Sequence, residues 1–139
     1  VKELVCKHVY ERYGENAAMF LDDKLIETLN VIREQILCAP MTVNNWHAGG
    51  NFTQRGLRCN ICELVKSKTD AGRLYLSAHM LGKAVDCNVE GMTAEEARRL
   101  IIAKQELLPY PIRLEDGVSW LHFDLYKNGK NEKVYLFKA

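Results

Sequence analysis

Two short segments of the chain hold the residue types that can do chemistry: Ser77-Ala78-His79-Met80-Leu81-Gly82-Lys83-Ala84-Val85-Asp86 and Ser119-Trp120-Leu121-His122-Phe123-Asp124. Neutral imidazole and carboxylate are both good zinc ligands, and three protein ligands with one open position define a catalytic zinc site. His79 and Asp86 flank Gly82, which permits turn conformations closed to other residues, so the segment can fold back and bring both side chains to one point. His122 can complete the trio from a neighbouring strand, where alternation puts Trp120, His122 and Asp124 on one face. The same residues also suit a blander role: hydrogen-bonded histidines, a turn aspartate and a core tryptophan.

The elements that must position these residues can be read from periodicity. Leu25, Ile26, Leu29, Ile32 and Ile36 fall on one face of a helix over residues 21–37, with Asp22 and Asp23 at its positive end and Pro40 beyond it. Met41 to Trp46 reads as a short strand, followed by a turn at Ala48-Gly49-Gly50-Asn51. Residues 52–75 read as long irregular structure with one helical turn around Cys62–Lys66. A strand is expected at Ala84–Val89. Thr93 and Glu96 then form a capping box for a helix running to about Glu106, which Pro109 and Pro111 terminate. Three more strands follow at Ile112–Leu114, Ser119–Tyr126 and Lys133–Phe137, the last two joined across the turn Lys127-Asn128-Gly129-Lys130. This order predicts a small single α+β domain, an antiparallel sheet flanked by helices, with the zinc site on the sheet.

Composition narrows the function classes. At 139 residues the chain is one domain's length, and 19 Lys plus Arg against 18 Asp plus Glu leave a net charge of +1. That balance argues against a nucleic-acid or anionic-membrane binder. No apolar run approaches the ~18 residues of a membrane span, and Val1 to His8 does not resemble a signal peptide. Five cysteines are an odd number and too few for a disulfide scaffold. Cys59 and Cys62 make a C-x-x-C pair, but no second such pair or H-x-x-x-H follows, so the thiols read as incidental.

The pattern S-x-H-x-x-G-x-A-x-D followed by W-x-H-x-D resembles the zinc D-Ala-D-Ala carboxypeptidases and murein endopeptidases, and within them the short single-domain members common in bacteriophages. Ser77, His79, Gly82, Ala84 and Asp86 match the first motif, and Trp120, His122 and Asp124 the second. Thr42-Val43-Asn44-Asn45-Trp46, Gly49-Gly50 and Gly56-Leu57-Arg58 extend the likeness, which spans about residues 20–126. The resemblance implies a Zn2+ ion on His79, Asp86 and His122, a water acidified towards ~7, and hydrolysis of a peptide bond in peptidoglycan. It implies that Arg58 holds an anion, either a substrate carboxylate or the oxyanion of the tetrahedral intermediate, with Arg55 as competitor. Ser77 would orient the His79 loop, and His47 would face the cleft or solvent.

For the general base the chain departs from part of that family. Some dipeptidase members carry a glutamate three residues before the last histidine ligand, where this chain has Ser119. The related hedgehog signalling domain has its acid six residues before, which here is Asp116, with Glu115 beside it. Asp116 is the expected base, Glu115 the alternate, and Asp124 a third carboxylate suited to supporting a ligand. A lysin-like enzyme acting on the bacterial wall is the expected function. The alternative is an inactive, zinc-stabilised binding module of the same fold.

Overall fold

A computed structural model describes residues 1–139. The opening segment forms helix α1 (Lys7–Tyr13) and a 3-10 turn (Gly14–Phe20), neither of which has a clear apolar period in the sequence. Helix α2 (Asp23–Val31) begins where expected. The Asp22 carboxylate caps it by accepting from the Lys24 N–H at 2.9 Å, and the helix widens to a π-type turn through Leu37. After strand β1 (Met41–Thr42), helix α3 (Glu63–Asp70) replaces the single turn expected there. Strand β2 (Ala84–Val89) precedes helix α4 (Ala94–Ala103), whose capping box forms as expected: Glu96 N–H donates to Thr93 Oγ1 at 3.1 Å and Thr93 N–H to the Glu96 carboxylate at 2.7 Å. Strands β3 (Ile112–Glu115), β4 (Leu121–Asp124) and β5 (Val134–Phe137) complete the domain. The strand expected at Met41–Trp46 covers only its first two residues, because Trp46–Ala48 turns as a 3-10 helix.

The α+β class is correct, and the five-stranded sheet runs in the order β1-β2-β4-β3-β5. Its pairs are antiparallel except β3 with β5, which is parallel, so the sheet is mixed rather than wholly antiparallel. The expected β4–β5 hairpin does not form. Strand β4 already has β2 on one edge and β3 on the other, so β5 can add only to the free edge of β3.

Strand alternation sorts the side chains onto two faces. Val85 and Cys87 of β2, Leu121 and Phe123 of β4, and Ile112 and Leu114 of β3 face one way. They bury against Leu25, Leu29, Ile32 and Ile36 of the α2 region and Ala97 and Ile101 of α4. The opposite face carries Asp86, His122, Asp124, Arg113 and Glu115. Polar groups on that face are covered by the loop around residues 54–58 and by the Ser77–Lys83 turn. A second, smaller apolar cluster joins Val5, Cys6, Val9 and Ala17 to Leu57, Cys62 and Val65. There the N-terminal strand-like segment meets the 54–58 loop: Cys6 N–H donates to the Leu57 carbonyl at 2.9 Å and Leu57 N–H to that of Leu4 at 2.8 Å. Trp46 reaches into the same region, its indole N–H donating to the Val5 carbonyl at 3.1 Å.

Candidate metal centre

The β2–β4 register sets Asp86 directly opposite His122. His79 comes from the turn before β2. Gly82 in that turn has φ +65°, and a Cβ there would run into the Phe20 carbonyl oxygen. Only glycine lets the turn lie against the Phe20–Leu21 backbone, which accounts for the glycine between His79 and Asp86. The side chains of His79, Asp86 and His122 are buried, and the atoms they could offer a metal all lie within 4.8 Å of one another.

Hydrogen bonds fix the ring nitrogens. His79 Nδ1 is 2.9 Å from the Gly56 carbonyl, which can only accept, so Nδ1 donates there and Nε2 faces Asp86 Oδ2 at 3.3 Å. His122 Nε2 is 2.9 Å from Asp124 Oδ2, while its Nδ1 sits 2.7 Å from Asp86 Oδ1. Asp124 is fully buried and is itself gripped by Arg113, which donates from Nε and Nη2 at 2.8 Å each. Once the outer nitrogens have donated to Gly56 and Asp124, the inner ones are acceptors facing a carboxylate, itself an acceptor. Such an arrangement is stable only with a proton or a cation between the groups. Without a metal the proton sits on His122: burial pulls its pKa down, but hydrogen bonds to Asp124 and Asp86 more than offset that and hold it up at about 9. Against the pull of burial, His122 and His79 hold Asp86 well below the usual carboxylate range. Asp124 is lowered as well by His122 and Arg113. Two imidazoles oriented by outer hydrogen bonds and one ionised carboxylate fit a divalent cation.

The centre lines a cleft of about 440 Å³ together with Arg58, Arg113, Glu115, Trp120, Tyr126 and Phe137. The Phe137 ring packs on that of His122, with centroids 5.7 Å apart. Arg58 enters as expected, but its Nη2 donates to Asp86 Oδ2 at 2.9 Å and its Nε to the Gln54 carbonyl, so it orients a ligand directly. Arg55 is occupied elsewhere, over the Phe52 ring and on Asn88 at 2.9 Å. Its backbone N–H donates to Asn44 Oδ1 at 2.8 Å, and its carbonyl accepts the Asp86 N–H at 2.7 Å. Ser77 lies in the cleft wall with a buried hydroxyl that has no partner, and His47 is exposed against Trp46.

Of the two candidate bases, the structure brings only Glu115 into the cleft. Asp116 is a correction. The strand's alternation turns it to the other side, where it is 40 % exposed, lies 4.0 Å from Arg98 and accepts the Gly117 N–H. Sequence reasoning missed Arg98 altogether. Its buried guanidinium donates to the carbonyls of Val118, Trp120 and Glu115 at 3.1, 3.2 and 3.4 Å and so anchors the β3–β4 loop. A charged residue on an otherwise amphipathic helix was the only signal available. Tyr126 was missed as well; its hydroxyl donates to the Leu76 carbonyl and ties down the segment leading into His79.

The second correction concerns the cysteines. Cys59 and Cys62 are not alone: the fold brings Cys6 and His8 to them, and these four ligand atoms also lie within 4.8 Å of one another. This Cys/His cluster could hold a metal ion. All five cysteines are free. The hydrogen bond from Cys62 favours the Cys6 thiolate and lowers its pKa.

No protein-family profile matches the chain, and neither do any of the curated proteins or solved structures compared with it. No helix is long and apolar enough to cross a membrane.

Proposed function

We propose that the protein is a zinc-dependent peptidase that hydrolyses a peptide bond of bacterial peptidoglycan, of the D-alanyl carboxypeptidase or endopeptidase type. The observation that carries this reading is the convergence of His79 Nε2, His122 Nδ1 and the Asp86 carboxylate at the floor of an open cleft, with the outer ring nitrogens held by the Gly56 carbonyl and Asp124. A zinc ion bound there would supply Lewis acidity, polarising a scissile carbonyl and acidifying a water. Glu115 is the carboxylate in the cleft wall not already engaged with the two histidines, and with a metal in place it would serve as the general base and then the general acid. Arg58 steadies Asp86 through Nη2, and its Nη1, which has no protein partner, is placed to meet a substrate carboxylate. Trp120 offers an apolar wall for the substrate's side chains. The wall peptide as substrate, and action at the cell wall, rest on the motif resemblance.

The test is zinc content followed by cleavage of purified muropeptides with and without chelator. Hydrolysis that the chelator abolishes and zinc restores is expected, and it should be absent from His79→Ala. Full activity in His79→Ala and His122→Ala refutes the mechanism. Zinc bound by the wild-type chain without any hydrolysis supports the binding-module reading, whose motivation is Ser119 at the place where some dipeptidase members carry a glutamate.

A further inference from the structure

We propose that Cys6, His8, Cys59 and Cys62 form a second, closed zinc site whose role is to lock the N-terminal segment onto the loop that shapes the catalytic centre. Its support is metric. Zinc–sulfur bonds of ~2.3 Å and zinc–nitrogen bonds of ~2.05 Å at tetrahedral angles put two sulfurs ~3.8 Å apart and a sulfur and nitrogen ~3.6 Å apart. Cys59 Sγ and Cys62 Sγ are 3.7 Å apart, and His8 Nδ1 is 3.6 Å from the first and 3.9 Å from the second. Cys6 closes the fourth corner within the same 4.8 Å limit. Three sulfurs and one nitrogen make a complete donor set with no position left for substrate, which separates this site in kind from the open centre on the sheet.

The local backbone is built for thiolates. The Cys59 N–H donates to Cys62 Sγ at 3.4 Å, and Cys62 is the N-cap of α3, whose first N–H groups favour negative charge. Cys6 and Cys62 are buried, with Cys59 half-buried and His8 at the surface.

The position of the site defines its purpose. Cys6 and Cys59 both lie just C-terminal to the residues of the parallel Val5–Leu57 bridge, and residues 55–58 supply three contacts to Asp86 and the His79 ring. These are the Arg55 carbonyl to Asp86 N–H, the Gly56 carbonyl to His79 Nδ1, and Arg58 to Asp86 Oδ2. A Cβ on Gly56 would collide with the Leu4 carbonyl, so loop and N-terminal segment meet backbone to backbone. Only seven buried residues form the apolar cluster here, separate from the main core. A metal tying four side chains supplies the cross-link that this small cluster lacks.

The proposal stands independently of the peptidase reading. Zinc measured on the purified full chain should come to close to two equivalents per chain, falling to one in His79→Ala and to one in Cys62→Ser. In the cobalt-loaded protein, thiolate-to-cobalt charge-transfer absorption should be present in wild type and His79→Ala and absent in Cys62→Ser. Because Cys62 is buried, two further measurements guard against a folding defect. The exposed His8→Ala should weaken retention of one equivalent while circular dichroism is unchanged, and a thiol-selective mercurial should release one equivalent from the intact wild type. One equivalent in wild type with the full amount retained in Cys62→Ser overturns the site. So does the lack of the charge-transfer band in wild type, or a Cys59–Cys62 disulfide in the protein as purified. If hydrolysis is never found but the thiol-linked equivalent is, the peptidase reading fails and this one stands.

Discussion

Gly82 and Gly72 form a natural controlled pair. Their φ angles are nearly identical, +65° and +64°, yet a Cβ on Gly72 meets nothing within 4 Å, whereas one on Gly82 strikes the Phe20 carbonyl and comes to 3.1 Å from Leu21 Cα. Alanine at either position carries the same left-handed backbone strain of about 1–2 kcal/mol, offset in part by about 0.4–1 kcal/mol of lost freedom in the unfolded chain. Gly72→Ala should therefore cost no more than about 1.6 kcal/mol. Gly82→Ala adds an overpacking term of about 1–3 kcal/mol, and what it strikes is backbone that cannot swing aside. Relief would pull apart the 3.0 Å bond from the N–H of Asp22, the residue that caps α2, to the Gly82 carbonyl, for about 1 kcal/mol more. The difference between the two variants should be about 2–4 kcal/mol in urea denaturation. At about 3 °C per kcal/mol for a domain of this size, the gap in melting temperature is about 6–12 °C. Zinc retention should separate them too, since only Gly82 sits between two ligands. Equal stability losses in Gly72→Ala and Gly82→Ala would show that φ alone, and not the approach to Phe20, requires the motif glycine.

Other substitutions test the cleft and its supports. Glu115→Gln should keep zinc but lower kcat by ~10²–10⁴-fold, whereas Asp116→Asn should stay near wild type; the reverse pattern restores Asp116 as base. Arg98→Met leaves three carbonyls without their buried donor and should cost about 2–3 kcal/mol, with faster amide exchange confined to residues 115–120. Unchanged exchange there would remove Arg98 as the loop's anchor. In the metal-free chain, the His122 pKa of about 9 lies above its ordinary 6.5, so its contribution is complete below about pH 6.5 and disappears as pH rises through about 9. That amounts to about 3 kcal/mol between pH 6 and pH 10 by denaturant titration. Asp86 and Asp124 work in the opposite sense, stabilising above the ordinary carboxylate pKa and failing only in strong acid. His122→Gln should flatten the alkaline loss, and an equal loss in that variant would assign it elsewhere.

The parts of this fold that depend on neighbours in sequence were legible, and those that depend on distant partners were not. The α2 stripe, the Thr93–Glu96 capping box and the alternating β2 and β4 strands are local patterns, and with them came the faces that unite Asp86, His122 and Asp124. The Lys127–Lys130 turn signal was genuine but misled, because a turn says nothing of which strand edge remains free. Asp116 was chosen by spacing along the chain, while strand alternation, which decides the face, favours its neighbour. The C-x-x-C pair was dismissed because a second pair was sought downstream. Its partners Cys6 and His8 lie some fifty residues upstream, brought close only by the Val5–Leu57 bridge.

The chain's two tryptophans are divided between the two clusters. Trp120 stands in the wall of the sheet cleft, while Trp46 hydrogen-bonds to the carbonyl of Val5, the residue before Cys6. Each ligand cluster thus has its own fluorophore. With Trp46→Phe and Trp120→Phe variants, occupancy at either place becomes an optical signal that can be followed alone, in real time, in the same unlabelled protein.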